Sequence, residues 1–103
     1  MSFPRQGEIW WAEAEDARRP VLVVTRSEAV EVLTGIVVAP ITRTVRSIST
    51  EIALGRDEGL AVECVASFDN LQRVRRSTLT ERTGELGPRA PELCGALRAL
   101  ADC

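Results

Sequence analysis

Arg18-Arg19-Pro20-Val21-Leu22-Val23-Val24 and the later run Ile36-Val37-Val38-Ala39-Pro40-Ile41-Thr42 decide the fold of this chain. Both are short, rich in β-branched residues and too brief for buried helices, so they read as strands. The first strand, Pro20–Thr25, starts on a proline just after the two arginines, a position that a strand tolerates because no ladder donor is yet required. The second is apolar without alternation, which predicts burial on both faces. Pro40 is awkward inside it and predicts an edge or a bulge that re-aims the strand end. One strand therefore opens on guanidinium groups and the next closes on the Thr42 hydroxyl. The chain has 0 histidines, so any acid–base chemistry falls to groups other than imidazole. Arginine offers a planar fork of donors that matches phosphate oxygens two at a time, so the pair points to a phosphodiester rather than a carbonyl.

Working outward, Gly7–Ala12 (Gly-Glu-Ile-Trp-Trp-Ala) reads as a preceding strand with Ile9 and Trp11 on one face and Trp10 on the other. Trp10 and Trp11 are expected to fill a small barrel core and a dimer face rather than to stack on bases. Ser27 is placed to cap a helical turn over Glu28–Leu33, and Gly35–Ile41 is the third strand. Thr42–Ser49 is polar and weakly periodic, a loop. Thr50–Leu54 and Leu60–Phe68 follow as strands around a turn at Gly55–Gly59, with Leu71–Val74 extending or following the second. A short strand over Arg82–Leu86 precedes Gly87-Pro88. A final helix then begins near Pro91 and carries Leu93, Ala96, Leu97 and Leu100 at helical spacing.

A length of 103 residues suits one compact domain, residues 1–103. No apolar stretch approaches the roughly 20 residues of a spanning helix. The N-terminus lacks a secretion signal, so a cytoplasmic protein is expected. Cys64, Cys94 and Cys103 form no Cys-x-x-Cys pair, and without histidine a zinc site is not expected. Cys64 and Cys94 read as small apolar residues, and Cys103 as a terminal thiol. The net charge of −2 excludes a uniformly basic nucleic-acid coat. Its distribution is uneven: Thr42–Thr50 holds two Arg and no acid, and Arg73–Arg82 holds four Arg against Glu81 alone. All 13 basic residues are Arg, which the coding bias of a GC-rich gene accounts for.

The ordered set of segments resembles the MazF/PemK endoribonuclease toxins of toxin–antitoxin operons. Gln6-Gly7-Glu8-Ile9-Trp10 resembles the family's opening, Arg19-Pro20-Val21-Leu22-Val23-Val24 its Arg-Pro-Val strand, and Ala39-Pro40-Ile41-Thr42 its Val-Pro-Ile-Thr. Thr50-Glu51-Ile52, Gly59-Leu60, Asp69-Asn70-Leu71 and Gly84-Glu85-Leu86 continue the likeness up to the C-terminal helix. The resemblance implies a mostly β (α+β) fold, an SH3-like β-barrel of about five to seven strands with short helices and a C-terminal helix. It implies a homodimer, neutralised by a MazE-like antitoxin, that cleaves single-stranded RNA with neither metal nor cofactor. Arg19 and Thr42 are the implied catalytic residues. Attack of the ribose 2′-OH on the adjacent phosphate would leave a 2′,3′-cyclic phosphate and a 5′-OH end. Implied substrate contacts are Arg18, Thr25, Arg43, Arg46, Ser47, Asp69 and Asn70.

The sequence departs from the family pattern in three places. The loop between the first two strands is cut to Glu13–Arg18, Arg26 replaces the Asn that commonly follows the second strand, and Asn70 replaces a Gln. Each position belongs to the family's RNA surroundings, so an altered substrate preference is expected. Two other readings stay open. A CcdB-like gyrase poison shares the fold but ends in Trp-Gly-Ile, where this chain ends Ala101-Asp102-Cys103. A non-catalytic SH3-like module needs an exposed aromatic groove, yet aromatic content is 4% with no Tyr.

Overall fold

A computed structural model of the chain describes residues 3–101. Its elements run β1 (Glu8–Glu13), β2 (Arg18–Val23), α1 (Ser27–Val30), β3 (Gly35–Thr42), β4 (Glu51–Leu54), β5 (Cys64–Ser67), β6 (Gln72–Arg75), β7 (Leu79–Glu85) and α2 (Pro91–Leu100). The strands form one curled sheet in the order β4-β5-β3-β2-β1-β7, with β6 also paired to β3. All pairings are antiparallel. The seven strands and the closing helix are those of the expected barrel-like fold.

Two apolar clusters lie on opposite faces of β2 and β3. Ile9, Leu22, Ala39, Ile52, Phe68, Leu93 and Ala96 pack between the inside of the curl and α2. Val21, Val23, Val30, Ile36, Val38 and Leu79 pack on the other face, against Trp10 and Val74. Both faces of these strands are thus covered, which is why their sequences show no alternation.

The structure gives the expectation at Pro40 its form. β3 has neighbours on both sides, but Ala39 and Pro40 have no paired residue on the far side, so Pro40 sits at a local gap in the ladder rather than on an outer edge strand. Along one side β3 pairs β2 through Val21↔Pro40, Leu22↔Ala39 and Val23↔Val38. Along the other it pairs β6 over Gly35–Val38, then β5 at Ile41 and Thr42. The Val37 carbonyl accepts from the Val24 and Thr25 amides, so odd-numbered residues of β3 direct their backbone groups to β2 and even-numbered ones to the far side. The donor that Pro40 lacks therefore falls where β6 hands over to β5. The missing N–H costs no ladder bond there.

The handover also explains the strand after Gly59. The extended segment expected over Leu60–Phe68 is confined to β5, and Phe68–Asn70 makes a tight 3₁₀ turn. Relative to β3, the chain carries three more residues between Ala66 and Gln72 than a continuous ladder would hold. Phe68 turns inward, fully buried, while Asp69 and Asn70 are pushed out. The helical turn α1 is shorter than expected, and the Ser27 Oγ accepts from the Gln6 amide (3.0 Å) instead of capping it. Cys64 is buried as expected and burial pushes its thiol up, but Cys94 is exposed on α2. Cys103 lies outside the described residues.

The turn joining β4 to β5 rests directly on β7. Gly59 adopts φ +90°, the left-handed region, and its carbonyl accepts from the Thr83 hydroxyl at 2.9 Å. A Cβ on Gly84 would lie 1.7 Å from the Glu58 carbonyl oxygen. Glu58 itself is buried and held by Arg89 (3.3 Å) and by the Gly55 amide (2.7 Å). Gly84→Ala must force backbone from backbone, so it is expected to lower unfolding free energy by about 3 kcal/mol or to prevent folding. Urea denaturation checks this, and a midpoint unchanged from wild type would show that the two segments can separate freely.

Candidate active site

A groove of about 350 Å³ opens over the handover point, lined by Pro40, Thr42, Arg46, Ser67, Asn70 and Gln72 among others. Strand alternation puts Pro40 and Thr42 on the same face of β3. Continuing the β2–β3 register by two residues sets Arg19 across from Thr42. The arginine that opens one strand and the threonine that closes the next thus share one face at one end of the sheet.

The two arginines of Arg18-Arg19 have opposite circumstances. Arg18 pairs across the sheet with Glu13 (3.2 Å), also bonds Glu81, and lies 4.9 Å from the centroid of the Trp11 ring. Its hydrogen bond to the Glu81 carboxylate, outweighing desolvation, raises its already high pKa, and the side chain is committed to these partners. Arg19 is exposed, and among the described residues it makes no ion pair and no side-chain hydrogen bond. Alternation across a flat ladder is the cause: Arg18 faces the acids of β1 and β7, and Arg19 faces away from them.

Thr42 Oγ1 accepts the Thr44 amide at 3.1 Å. With a lone pair taken, the hydroxyl keeps its proton to donate. The loop beyond it, 43–50, has no regular structure yet is tied at both ends. Glu51 Oε1 accepts from the amides of Arg46 (2.9 Å) and Ser47 (3.1 Å). Thr50 donates to Asp69 Oδ2 at 2.5 Å, and the Phe68 amide donates to the Thr50 carbonyl at 2.9 Å. Asn70 Nδ2 donates to Ser67 Oγ at 3.1 Å.

Of the implied site residues, the catalytic Thr42 and the contacts Arg46 and Asn70 therefore line the groove, whereas the contact Arg18 is turned to Glu13 and Glu81 instead. Ser47 and Asp69 hold its walls through the bonds just described. Arg43 is exposed at the β3 end. Thr25 is not brought to this groove: it lies past the opposite end of β2, where its Oγ1 accepts the Val37 amide at 2.7 Å. Ser67, Gln72 and Glu51 are lining residues that sequence reasoning missed. Nothing in their local sequence marks them, because the three-residue insertion opposite β3 is what gathers them.

A family model described as the PemK-like, MazF-like toxin of type II toxin-antitoxin systems matches residues 5–98. The chain belongs to this family. It is 37% identical over 101 residues to a protein of Mycobacterium tuberculosis named probable endoribonuclease MazF2, covering 96% of this chain and 99% of that one. It is 36% identical over 106 residues to probable endoribonuclease MazF5 of the same species, covering 99% and 96%. Among solved structures, the M. tuberculosis toxin MazF-mt6 superposes with a TM-score of 0.84 at 36% identity, covering 92% of this chain and 96% of that one.

Because Arg19 is exposed and makes no side-chain bond among the described residues, Arg19→Ala is expected to change unfolding free energy by no more than about 0.5 kcal/mol. Denaturant unfolding followed by tryptophan fluorescence measures it. A loss of about 2 kcal/mol or more would place Arg19 in the structural framework instead.

Proposed function

We propose that residues 1–103 act as one cytoplasmic toxin domain, an endoribonuclease that cleaves single-stranded RNA at the Arg19–Thr42 face. The observation that carries this reading is the free guanidinium of Arg19 set across the register from a threonine hydroxyl that still has its proton to give. The endoribonuclease names of relatives more than a third identical over nearly the whole chain support it. Neither the gyrase-poison reading nor the non-catalytic module has a comparable observation in its favour.

In the proposed reaction the ribose 2′ oxygen forms a bond to the adjacent phosphorus and the bond to the 5′ oxygen breaks. In balance, one proton passes from the 2′-OH to the departing 5′ oxygen. Arg19 neutralises charge gathering on the non-bridging oxygens, and Thr42 donates a hydrogen bond to the same group. Arg46 at the groove supplies a second positive charge for the strand. An arginine side chain holds its proton too tightly to serve well as a proton shuttle, so the role proposed for it is electrostatic. Holding the 2′-OH in line contributes the remaining acceleration.

The proposed partners are a second copy of the chain and a MazE-like antitoxin. Phe3, Val32 and Leu33 leave apolar surface exposed on the single chain. A second groove of about 860 Å³ is lined by Trp10, Phe3, Arg73, Arg75 and Arg76, a combination suited to a tail with acidic and apolar residues. Such a tail would compete with RNA for positive surface.

Arg19→Ala is expected to slow RNA cleavage on the order of 10²–10³-fold. Wild-type cleavage is expected to proceed in EDTA, to leave cyclic phosphate and 5′-OH ends, and to stop on 2′-deoxy substitution at the cut site. A few-fold effect of Arg19→Ala would overturn the residue assignment. A requirement for Mg²⁺, or cutting of the 2′-deoxy substrate, would overturn the mechanism. Sedimentation at micromolar concentration is expected to give a dimer, and saturating antitoxin to suppress cleavage. A monomer, or a complex that cuts at the free rate, would refute these partners.

A further inference from the structure

The 43–50 loop forms a wall of the groove, yet little within it explains why it keeps one shape. It is almost wholly exposed, and Val45 and Ile48 point their apolar side chains outward, 52% and 44% exposed. Ser47 takes φ +56°, a left-handed conformation that a non-glycine residue adopts only when something holds it. What holds it is one atom. Glu51 Oε1 receives the successive amides of Arg46 and Ser47, and the Glu51 amide in turn donates to the Ile48 carbonyl at 3.0 Å. Two successive amides converging on one oxygen make a small anion-binding concavity, here filled by the protein's own carboxylate.

Glu51 is rooted in the sheet, as the first residue of β4 and paired with Ser67 of β5. Ser67 is itself a lining residue of the groove. The sheet floor and the middle of the exposed wall are therefore joined through the Glu51 side chain. We propose that Glu51 is a positioning residue for RNA cleavage: its carboxylate clasps the 43–50 loop so that Arg46 and Thr44 stand against the groove and Thr42 Oγ1 keeps the Thr44 amide. This rests on the ribonuclease reading of the same groove. The clasp has a second effect on charge. Glu51 lines a cleft meant for phosphates, and both amides on Oε1 draw its negative charge toward the loop and away from the strand.

The test compares Glu51→Ala, which removes the acceptor, with Glu51→Gln, whose side-chain carbonyl can still receive both amides. Amide hydrogen exchange reads the clasp without reference to activity. Arg46 and Ser47 are expected to be protected in the wild type and in Glu51→Gln, and to exchange freely in Glu51→Ala. Cleavage is then measured on a synthetic RNA spanning a cut site mapped in a kilobase transcript. Glu51→Ala is expected to raise KM about tenfold or more with a smaller change in kcat, and Glu51→Gln to restore most of the loss. Where Glu51→Ala fails to fold, Glu51→Asp draws the acceptor back by one methylene and takes its place. Free exchange at Arg46 and Ser47 with unchanged kcat/KM would overturn the positioning role. So would a Glu51→Gln variant as slow as Glu51→Ala through kcat, since the carboxylate would then act chemically. A wild-type protein that cuts no RNA overturns the ribonuclease reading itself, and does so before any variant is compared.

Discussion

Everything at the site depends on how the far side of β3 is shared. One strand cannot pair β6 and β5 at the same residue, so there is a place where one ladder stops and the next starts. Pro40 occupies it, and the donor that proline lacks is the one that no neighbour could use. The three residues left over on the opposing chain cannot be absorbed in a flat ladder and fold into the Phe68–Asn70 turn. Phe68 pins that turn to the core while Asn70 and Gln72 face the opening, so the groove follows from a mismatch in strand register. Filling the gap with a regular ladder would remove the recess beside Thr42.

The same economy of pairing separates Arg18 from Arg19. Two adjacent guanidinium groups would repel one another and could not both be recruited to a phosphate without help. β-alternation sends Arg18 to Glu13, Glu81 and the Trp11 face, where its charge is balanced. Arg19 is left with its charge uncompensated by the fold. Exposed ion pairs add little to stability. Their consequence here is to direct which of two identical residues is available to an anion.

Much of this was legible in the sequence. The strands over Pro20–Thr25 and Gly35–Ile41, the burial of the latter on both faces, the apolar stripe of the last helix and the placing of Arg19 at the mouth of one strand and Thr42 at the end of the next follow from local composition and from the family likeness. Pro40 announced that something happens just before Thr42, though not what. The nature of the event depends on which strands flank β3, and pairing partners distant in sequence leave no periodic trace. For the same reason Leu60–Phe68 looked like one strand: Phe68 is apolar enough to continue it, and only tertiary register turns it inward. Thr25 is a contact residue only by the family likeness, whereas in the fold its hydroxyl is committed to the Val37 amide. Glu51 offered no signal, since a strand-initial glutamate is ordinary until the amides it binds are known.

In the proposed reaction, and without histidine, the chemistry of the groove comes from placement rather than from proton transfer by an imidazole. The groups available are a permanent cation, a hydroxyl with one lone pair already taken, and a loop held by a carboxylate. A permanent cation cannot take up the proton of the 2′-OH near neutral pH, but it lowers the cost of the negative charge that builds on phosphorus-bound oxygen. A hydroxyl with one lone pair already engaged has fewer directions left for its proton, so it reorganises less as that charge develops. Such a site gains its selectivity from geometry, because an RNA backbone misplaced by about 1 Å loses much of the rate. That makes the order of the 43–50 loop as important as the identity of Arg19. A loop of polar and exposed residues with no core of its own acquires that order only by bonding to the sheet, through Thr42 at one end and Thr50 and Glu51 at the other.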